Sequence, residues 1–447
     1  MNFKNKRVLI IGMGTSGKSA NIFLKKRGAI VTLYDDKEYP ISHETISIDD
    51  FDLAVLSPGV SISHPLAQKF RYKITSELAL GFCVPHKKKV GVTGTNGKTS
   101  VVNMINNAIN ANSKKPRGIL VGNSGVPVTS KSKEIRQQIP VTEVSSFMLE
   151  TQICQDYIST KRWYKRVIKF RPKIAVILNI SQDHLDRHGT MENYINHKAA
   201  ISKHQKRCDK LILNFDNENT RNIKSRAKIL YFSTKSRVNG IYIEDGNVML
   251  NLRYKAKRLF KLSDIGMHKQ HDIENFLVTT LVCHLLKIPK KNLLNLKMLE
   301  KHRIQHVANI GQISFYNDSK GTNIGATLAA CNSFKLPINL LVGGMDKGQT
   351  FETLFENLPS NVTKVFIYGS CKEKIKKAAD DIGFDKVELC DDMYDATKKA
   401  SYGDGPRVVL LSPACASFDE FQSYEDRGYK FIEFIKSINE DSGEANA

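Results

Sequence analysis

The chain lacks most of the features that would fix its class at a glance. Its eight cysteines, at positions 83, 154, 208, 283, 331, 371, 390 and 415, include no C-x-x-C pair. That argues against a zinc site and a disulfide scaffold, and for a reducing compartment. No apolar run approaches the ~18 residues of a membrane-spanning helix. The apolar stretch Val8-Leu9-Ile10-Ile11 breaks at Gly12 and Gly14 with no small-residue cleavage site behind it, unlike a signal peptide. There is no internal repeat, no low-complexity linker and no long basic tail. Acidic residues are scarce: 45 Asp and Glu stand against 67 Lys and Arg, a net charge of +22. A nucleic-acid binder would gather such an excess into a basic stripe with aromatic or groove-reading elements. Only Thr160 to Lys173, with Lys161, Arg162, Trp163, Tyr164, Lys165 and Arg166, qualifies, and it is short. It reads as a surface excursion, with docking to an acidic partner or anionic membrane as the alternative. The expectation is a cytoplasmic monomer with no nucleic-acid partner and no membrane insertion, whose basic surface favours an anionic substrate.

What is present is a set of phosphate cradles. The apolar strand Val90-Gly91-Val92-Thr93 runs into the turn Gly94-Thr95-Asn96-Gly97, then Lys98-Thr99-Ser100 opens an amphipathic helix. Strand, glycine-rich turn, Gly-Lys-Thr and helix form the cradle of P-loop proteins. Backbone N–H groups and the helix N-terminus receive an oxyanion. Lys98 would reach the β- and γ-phosphates, and the Thr99 hydroxyl would sit on Mg²⁺. The strict G-x-x-x-x-G-K-[ST] pattern asks for glycine at 92; here Val92 stands there and the glycine is Gly91. A chance Gly-Lys-Thr in a surface turn is the alternative, and the flanking strand and helix favour the nucleotide.

Earlier in the chain, the strand Val8 to Ile11 leads into Gly12-Met13-Gly14-Thr15-Ser16-Gly17, a helix, and a second strand Ile30 to Tyr34 ending in Asp35-Asp36. This is the Rossmann βαβ pattern. The physics asks only for a diphosphate over a helix N-terminus and a sugar hydroxyl near Asp35, so a UDP-sugar fits as well as a dinucleotide. The second nucleotide cradle does not suit a dehydrogenase. Further on, Glu143 closes one strand, and Ile174 to Asn179 is followed by Ser181-Gln182-Asp183-His184-Leu185-Asp186-Arg187-His188. A surface Asp-His pair is commoner than a metal site until the P-loop is added. A helix capped by Thr190 carries Lys198, which on spacing alone is an exposed helix lysine. Strands at 338–342, 364–368 and 407–411, each ending in a turn, make another doubly wound sheet. The polar knot Asn317 to Asn323 precedes them. With 447 residues, the chain suggests about three domains: a Rossmann-like N-terminal domain, a central P-loop ATPase-type parallel sheet and a C-terminal Rossmann-like domain, all α/β.

Six motifs in this order resemble the Mur ligases, ATP-dependent enzymes that add amino acids to the UDP-N-acetylmuramoyl peptide of bacterial cell wall. They are Gly94 to Thr99, Glu143 to Phe147, Asn179 to Arg187, His302-Arg303, Asn317 to Lys320 and Leu411 to Ser417. Leu56 to Val60, Asn317 to Asn323 and Ser412 to Asp419 look like the member that adds D-glutamate. The alanine-adding relative has His where this chain has Asn96. The Asp-Asn-Pro-Arg motif of the diaminopimelate-adding relative is absent, and folylpolyglutamate synthetases lack the first domain. The resemblance implies that residues 1–88 hold UDP-N-acetylmuramoyl-L-alanine, 89–295 hold ATP and 296–447 hold D-glutamate, with an acyl phosphate as intermediate. It implies catalytic roles for Lys98, Glu143, His184, Lys198 and Lys320. ATP would be held by Gly94, Thr95, Asn96, Gly97, Lys98, Thr99, Ser100, Asn275, Arg303 and Asp318. The UDP substrate would meet Gly14, Thr15, Ser16, Gly17, Asp35, Asp36, Ser57, Asn123, Ser145 and His184. D-glutamate would meet Thr322, Lys347, Ser417, Phe418 and Tyr424, the last a phenylalanine in the usual pattern. Two Mg²⁺ would use Thr99, Glu143, His184 and Lys198, the lysine as its carbamate. The usual His-Asn-x-x-Asn reads His271-Asp272-Ile273-Glu274-Asn275 here. The rival readings are a related ligase with another acceptor and a nucleotide-binding protein without chemistry.

Overall fold

The computed structural model describes all residues except 1, 43, 124–125, 154–166, 168, 253–254, 266–269, 295–301, 404 and 445–447, and the side chains of 439–444. The basic stretch Lys161 to Arg166 lies outside the described residues, as does the expected boundary between residues 295 and 296.

Three sheets organise the chain. The first holds β1 (Arg7–Ile11), β2 (Ile30–Tyr34), β3 (Leu53–Leu56) and β4 (Ile74–Ser76) in the order β2-β1-β3-β4, all parallel. The second holds β5 (Val90–Thr93), β6 (Gly118–Gly122), β7 (Ile139–Glu143), β8 (Ile174–Ile177), β9 (Lys210–Asn214), β10 (Lys228–Ser233), β11 (Gly240–Glu244), β12 (Asn247–Leu252) and β13 (Lys255–Lys261). Their order is β13-β12-β11-β10-β9-β8-β5-β7-β6. The pairs from β6 to β11 are parallel, and β12 and β13 close the edge as an antiparallel hairpin. The third holds β14 (Gln305–Ile310), β15 (Ile313–Asn317), β16 (Ile338–Gly343), β17 (Val362–Tyr368), β18 (Val387–Leu389) and β19 (Arg407–Ala414) in the order β14-β15-β19-β16-β17-β18. The chain separates into two compact units, Met1–Ile180 with Glu192–Met298, and Ser181–Met191 with Leu299–Ala447. The first unit contains the first two sheets.

The strands follow from their composition. Val8, Leu9, Ile10 and Ile11 are all fully buried, as a parallel strand covered on both faces requires. After β5 the helix Lys98–Asn110 turns Val101, Val102, Ile105, Ala108 and Ile109 inward at helical spacing. They share a core with Phe276, Leu277 and Leu281 of the helix Gln270–Leu285. Asn292 donates its side-chain amide to the carbonyls of Ala108 and Ala111 at 2.9 and 3.2 Å, satisfying acceptors that a helix end leaves open. In two sheets the strand order reverses beside a glycine turn. β1 lies between β2 and β3, and β5 lies between β8 and β7. Crevices at such switch points are where α/β sheets hold ligands.

Within the first unit the first two sheets are joined through a buried carboxyl. Glu77 is 1 % exposed and accepts from the Thr129 amide at 2.6 Å and the Thr129 hydroxyl at 2.7 Å. Its second oxygen is buried without a partner. Burial pushes the group from 4.5 up to about 7, against the opposing pull of Thr129. A carboxyl whose folded-state pKa is raised favours folding below its unfolded value, and that contribution fades as pH rises through the folded value. Glu77→Gln removes this dependence. Denaturant unfolding at pH 5 and pH 8 is expected to show the variant gaining about 2–3 kcal/mol relative to the native chain over that interval. Parallel pH profiles for the two proteins would refute it.

Candidate active site

The first crevice is a cavity of about 520 Å³ lined by Gly12, Gly14, Thr15, Ser16, Asp35, Asp36, Ser57 and Asn123. Gly17 and Ser145 do not line it. Gly17 lies inside the helix Thr15–Lys25, where a Cβ would stand 2.0 Å from the Gly12 carbonyl oxygen, so it sets how closely helix and turn approach. Ser145 accepts the Met148 amide at 3.3 Å, at the start of the helix Ser146–Ile153. Asp35 accepts amides from Met13 at 2.7 Å and from Lys37 at 3.0 Å. These bonds hold its carboxyl below the usual range, and the same carboxylate braces the glycine turn. The Tyr34 hydroxyl donates to Asp36 at 2.5 Å, and burial together with that bond pushes the phenol up to about 12. Pro58, Val60, Pro127 and Met148 add apolar wall. Pro58 and Val60 lie in the Leu56 to Val60 stretch singled out in the sequence, whereas Pro127 and Met148 gave no signal there.

The second crevice is the P-loop. Gly97 has a left-handed backbone (φ 81°) and caps the helix that Lys98 opens. A Cβ there would stand 2.8 Å from the Asn275 side-chain oxygen, which places Asn275 against the loop. Lys98 donates to the carbonyls of Gly94 and Thr95 at 2.9 and 2.8 Å. Lys198 donates to the same Gly94 carbonyl at 2.9 Å. Lys198 is 2 % exposed, with its ammonium 4.4 Å from the centre of the Tyr194 ring. Spacing alone read Lys198 as an exposed helix lysine, and the structure corrects that. Tyr194 and Lys198 sit four residues apart on one face of the helix Met191–Ala199, and that face is buried. The Tyr194 hydroxyl in turn lies 3.2 Å from Thr95 Oγ1. Asn179, for which the sequence suggested no individual role, ties the loop down. Its carbonyl accepts the Thr95 amide at 2.8 Å, its side-chain oxygen accepts the Asn96 amide at 2.9 Å, and its amide donates to the Asn96 carbonyl at 3.3 Å.

Thr99 and Ser100 occupy the first turn of the helix. Glu143 ends β7, pairing in register with Val92 of β5. It is 3 % exposed and takes the Asn123 amide on one oxygen at 3.0 Å, while its other oxygen is buried without a partner. Among the described residues no three His, Cys, Asp or Glu side chains converge into a metal cage. One orphaned carboxylate oxygen beside a P-loop with a threonine at its helix start fits Mg²⁺, which takes most of its ligands from phosphate and water.

The remaining residues belong to the second unit. His184 has a left-handed backbone (φ 55°) and caps the short helix Leu185–His188; its ring lies 3.6 Å from Asp183. Asp183 accepts Lys347 at 2.7 Å and the Asn323 amide at 3.3 Å, and Thr322 Oγ1 lies 3.5 Å from the Lys347 ammonium. Thr322 and Lys347 are thereby brought together, with Asp183 as the anchor. Asp318 is fully buried, accepts the Ile304 amide at 3.1 Å and the Ser412 hydroxyl at 2.7 Å, and lies 3.7 Å from Arg303. The Lys320 amide donates to the His302 carbonyl at 3.1 Å. Ser417 is buried and Phe418 is 66 % exposed. The Tyr424 carbonyl accepts the Ser319 hydroxyl at 2.9 Å. Arg427 is fully buried and fixes this neighbourhood: it donates to Ser319 Oγ at 2.9 Å and to the carbonyls of Ser319 and Cys415 at 3.0 and 3.1 Å.

Comparison with known proteins follows the same outline. Residues 92–283 match the Mur ligase middle domain. The UDP-N-acetylmuramoylalanine–D-glutamate ligase of Clostridioides difficile (strain 630) is 34 % identical, over 98 % of this chain and 100 % of the relative. That of Caldicellulosiruptor bescii is 35 % identical, over 98 % and 99 %. The solved MurF ligase of Thermotoga maritima, in complex with ADP, shares the fold with a TM-score of 0.57 at 17 % identity, covering 99 % of this chain and 96 % of that one. The chain belongs to the Mur ligase family. Its full-length relatives place it among the family's UDP-N-acetylmuramoylalanine–D-glutamate ligases.

If Asn179 holds the phosphate cradle in shape, Asn179→Ala loses two side-chain hydrogen bonds and loosens the loop. Calorimetric titration is expected to show ADP affinity falling about tenfold, as two modest hydrogen bonds imply. An unchanged dissociation constant would refute the role.

Proposed function

We propose that this protein joins D-glutamate to UDP-N-acetylmuramoyl-L-alanine at the expense of ATP, in the cytoplasm, as a step of peptidoglycan synthesis. The observation that carries the reading is the pair of ammonium groups, Lys98 and buried Lys198, on one P-loop carbonyl, in a chain aligned over nearly its whole length with D-glutamate ligases. The 520 Å³ cavity suits the uridine diphosphate. Diphosphate oxygens would meet the turn Gly14 to Ser16, while Asp35 and Asp36 would take uridine hydroxyl or N–H donors. Residues 1–88 are assigned to this substrate, 89–295 to ATP and 296–447 to the amino acid.

The substrate carboxylate attacks the γ-phosphorus, an O–P bond forms, the bond to the β-phosphate oxygen breaks, and ADP leaves. Charge spreads over the phosphoryl oxygens in the transition state. Lys98 neutralises it from the cradle, and Lys320 is assigned the same task. The D-glutamate amine then attacks the acyl carbon, and the tetrahedral adduct expels phosphate as the amine loses a proton. Lys347, Thr322 and Ser417 are assigned to the glutamate carboxylates, with Phe418 and Tyr424 beside them. Arg303, Asp318 and Asn275 are assigned to the nucleotide. Mg²⁺, when bound through Thr99, Glu143 and His184, supplies charge neutralisation at the phosphates. A carbamate on Lys198 would turn this buried cation into a carboxylate able to hold a second ion.

Phosphate release with ATP, Mg²⁺ and UDP-N-acetylmuramoyl-L-alanine is expected with D-glutamate and not with L-glutamate, L-alanine or diaminopimelate. Turnover with another acceptor would overturn the third-domain assignments. Release with none of the four, from protein that binds ATP, would favour the non-catalytic reading. Lys198→Ala is expected to lower kcat about a hundredfold or more, as loss of a transition-state charge group does, while UDP affinity stays unchanged. Full activity in that variant would remove Lys198 from the mechanism.

A further inference from the structure

A second cavity, of about 770 Å³, opens in the first unit between the helix Thr15–Lys25 and the segment that follows β6. None of the residues assigned above lines it. Its walls carry Lys26, Arg27 and Lys133 together with the hydroxyls of Ser19, Thr129, Ser130 and Ser132, beside exposed Ile22 and the buried Phe23 ring beneath Arg27. The single acid in the wall, Glu134, lies 3.4 Å from Lys131. Among the described residues no carboxylate comes within ion-pair distance of Lys26, Arg27 or Lys133. Arg27 is held in place: it donates to the Phe23 carbonyl at 3.1 Å and to Ser132 Oγ at 3.4 Å, and its guanidinium lies 3.6 Å over the Phe23 ring.

Three cations round one concavity repel one another, and a low-dielectric wall focuses their field into the space between them. An anion placed there is attracted by all three. The volume is that of a small-molecule site, about 300–1,000 Å³. Ile22, 55 % exposed, gives the concavity an apolar patch beside these cations. The Ser19 hydroxyl meets Thr129 Oγ1 at 2.6 Å and Thr129 donates onward to Glu77, so the floor is fixed by the same contact that joins the two sheets.

We propose that this cavity is a second ligand site, for a small molecule bearing one phosphate or carboxylate on an apolar body, with the anionic group at Lys26, Arg27 and Lys133 and the body on Ile22. It is separate from the nucleotide crevices, although the helix Thr15–Lys25 walls both this cavity and the 520 Å³ one.

Phenyl phosphate is a suitable probe. It is titrated calorimetrically into the full chain with UDP and MgADP saturating, so that the other anion sites are filled. Single-site binding is expected, weakened about tenfold or more by Lys26→Ala with Lys133→Ala, because two charge-assisted contacts are lost. Inorganic phosphate is expected to bind about fivefold more weakly than phenyl phosphate, for want of the apolar contact. The double variant should keep its melting temperature and UDP affinity, which shows that it folds. Absence of saturable binding, or equal binding by the double variant, overturns the site. Equal affinity for inorganic phosphate overturns the assignment of an apolar body.

Discussion

The P-loop of this protein is built round one peptide oxygen. The Gly94 carbonyl accepts an ammonium from Lys98, four residues along, and another from Lys198, 104 residues along. Both lone pairs of that oxygen are then in use, and two like charges are held close, Lys198 buried and Lys98 half-buried. Lys198, 2 % exposed, would lie higher in free energy without an acceptor, because a buried charge needs a partner. As ammonium groups they repel, a strain that an incoming phosphate oxygen, or conversion of Lys198 to its carbamate, would relieve. Asn179 fixes the loop from the neighbouring strand, and the Tyr194 ring and hydroxyl support Lys198 and Thr95. The local geometry thus serves a polyanion before any substrate is considered.

In the second unit the corresponding constraint is a buried guanidinium. Arg427 has no exposed surface, and its guanidinium donates to hydroxyl and carbonyl oxygens of Ser319, Gly343, Cys415 and Ala416. A charge buried among carbonyls is tolerated when its donors are satisfied. Its effect is to set the relative position of three segments that carry Lys320 and Thr322, Lys347, and Ser417. Asp183 does the same for Lys347 and Asn323. Neither residue needs to touch substrate to matter: both hold groups assigned to do so.

The basic excess takes on meaning only in three dimensions. Surface ion pairs, such as Lys364 with Glu388 and Lys374 with Asp346, use one acid each, contribute little and leave the excess in place. Lysines and arginines turned toward concave walls, as at Lys26, Arg27 and Lys133, act differently, because focusing replaces screening.

The sequence determined the local cradles. Apolar runs ending in glycine turns, followed by amphipathic helices, dictate strand–turn–helix units through backbone sterics and side-chain period, so the Gly12 to Gly17 turn, the Gly94 to Thr99 loop and the parallel strands at the centre of the sheets were legible from spacing, whereas the antiparallel β14–β15 pair was not. The hairpin edge of β12 and β13 was not read, because β13 is rich in lysine and arginine and mostly exposed, so it lacks the apolar run that marked the core strands. Lys198 was misread for a related reason: a lysine on a helix is exposed unless another element covers it, and that element here is the P-loop, a hundred residues earlier. Glu77, Asn179 and Arg427 gave no individual signal, and Asp183 only as half of an Asp-His pair, since each acts through partners distant along the chain. Which polar groups are buried, and which oxygen each one meets, was decided only when the strands assembled into sheets.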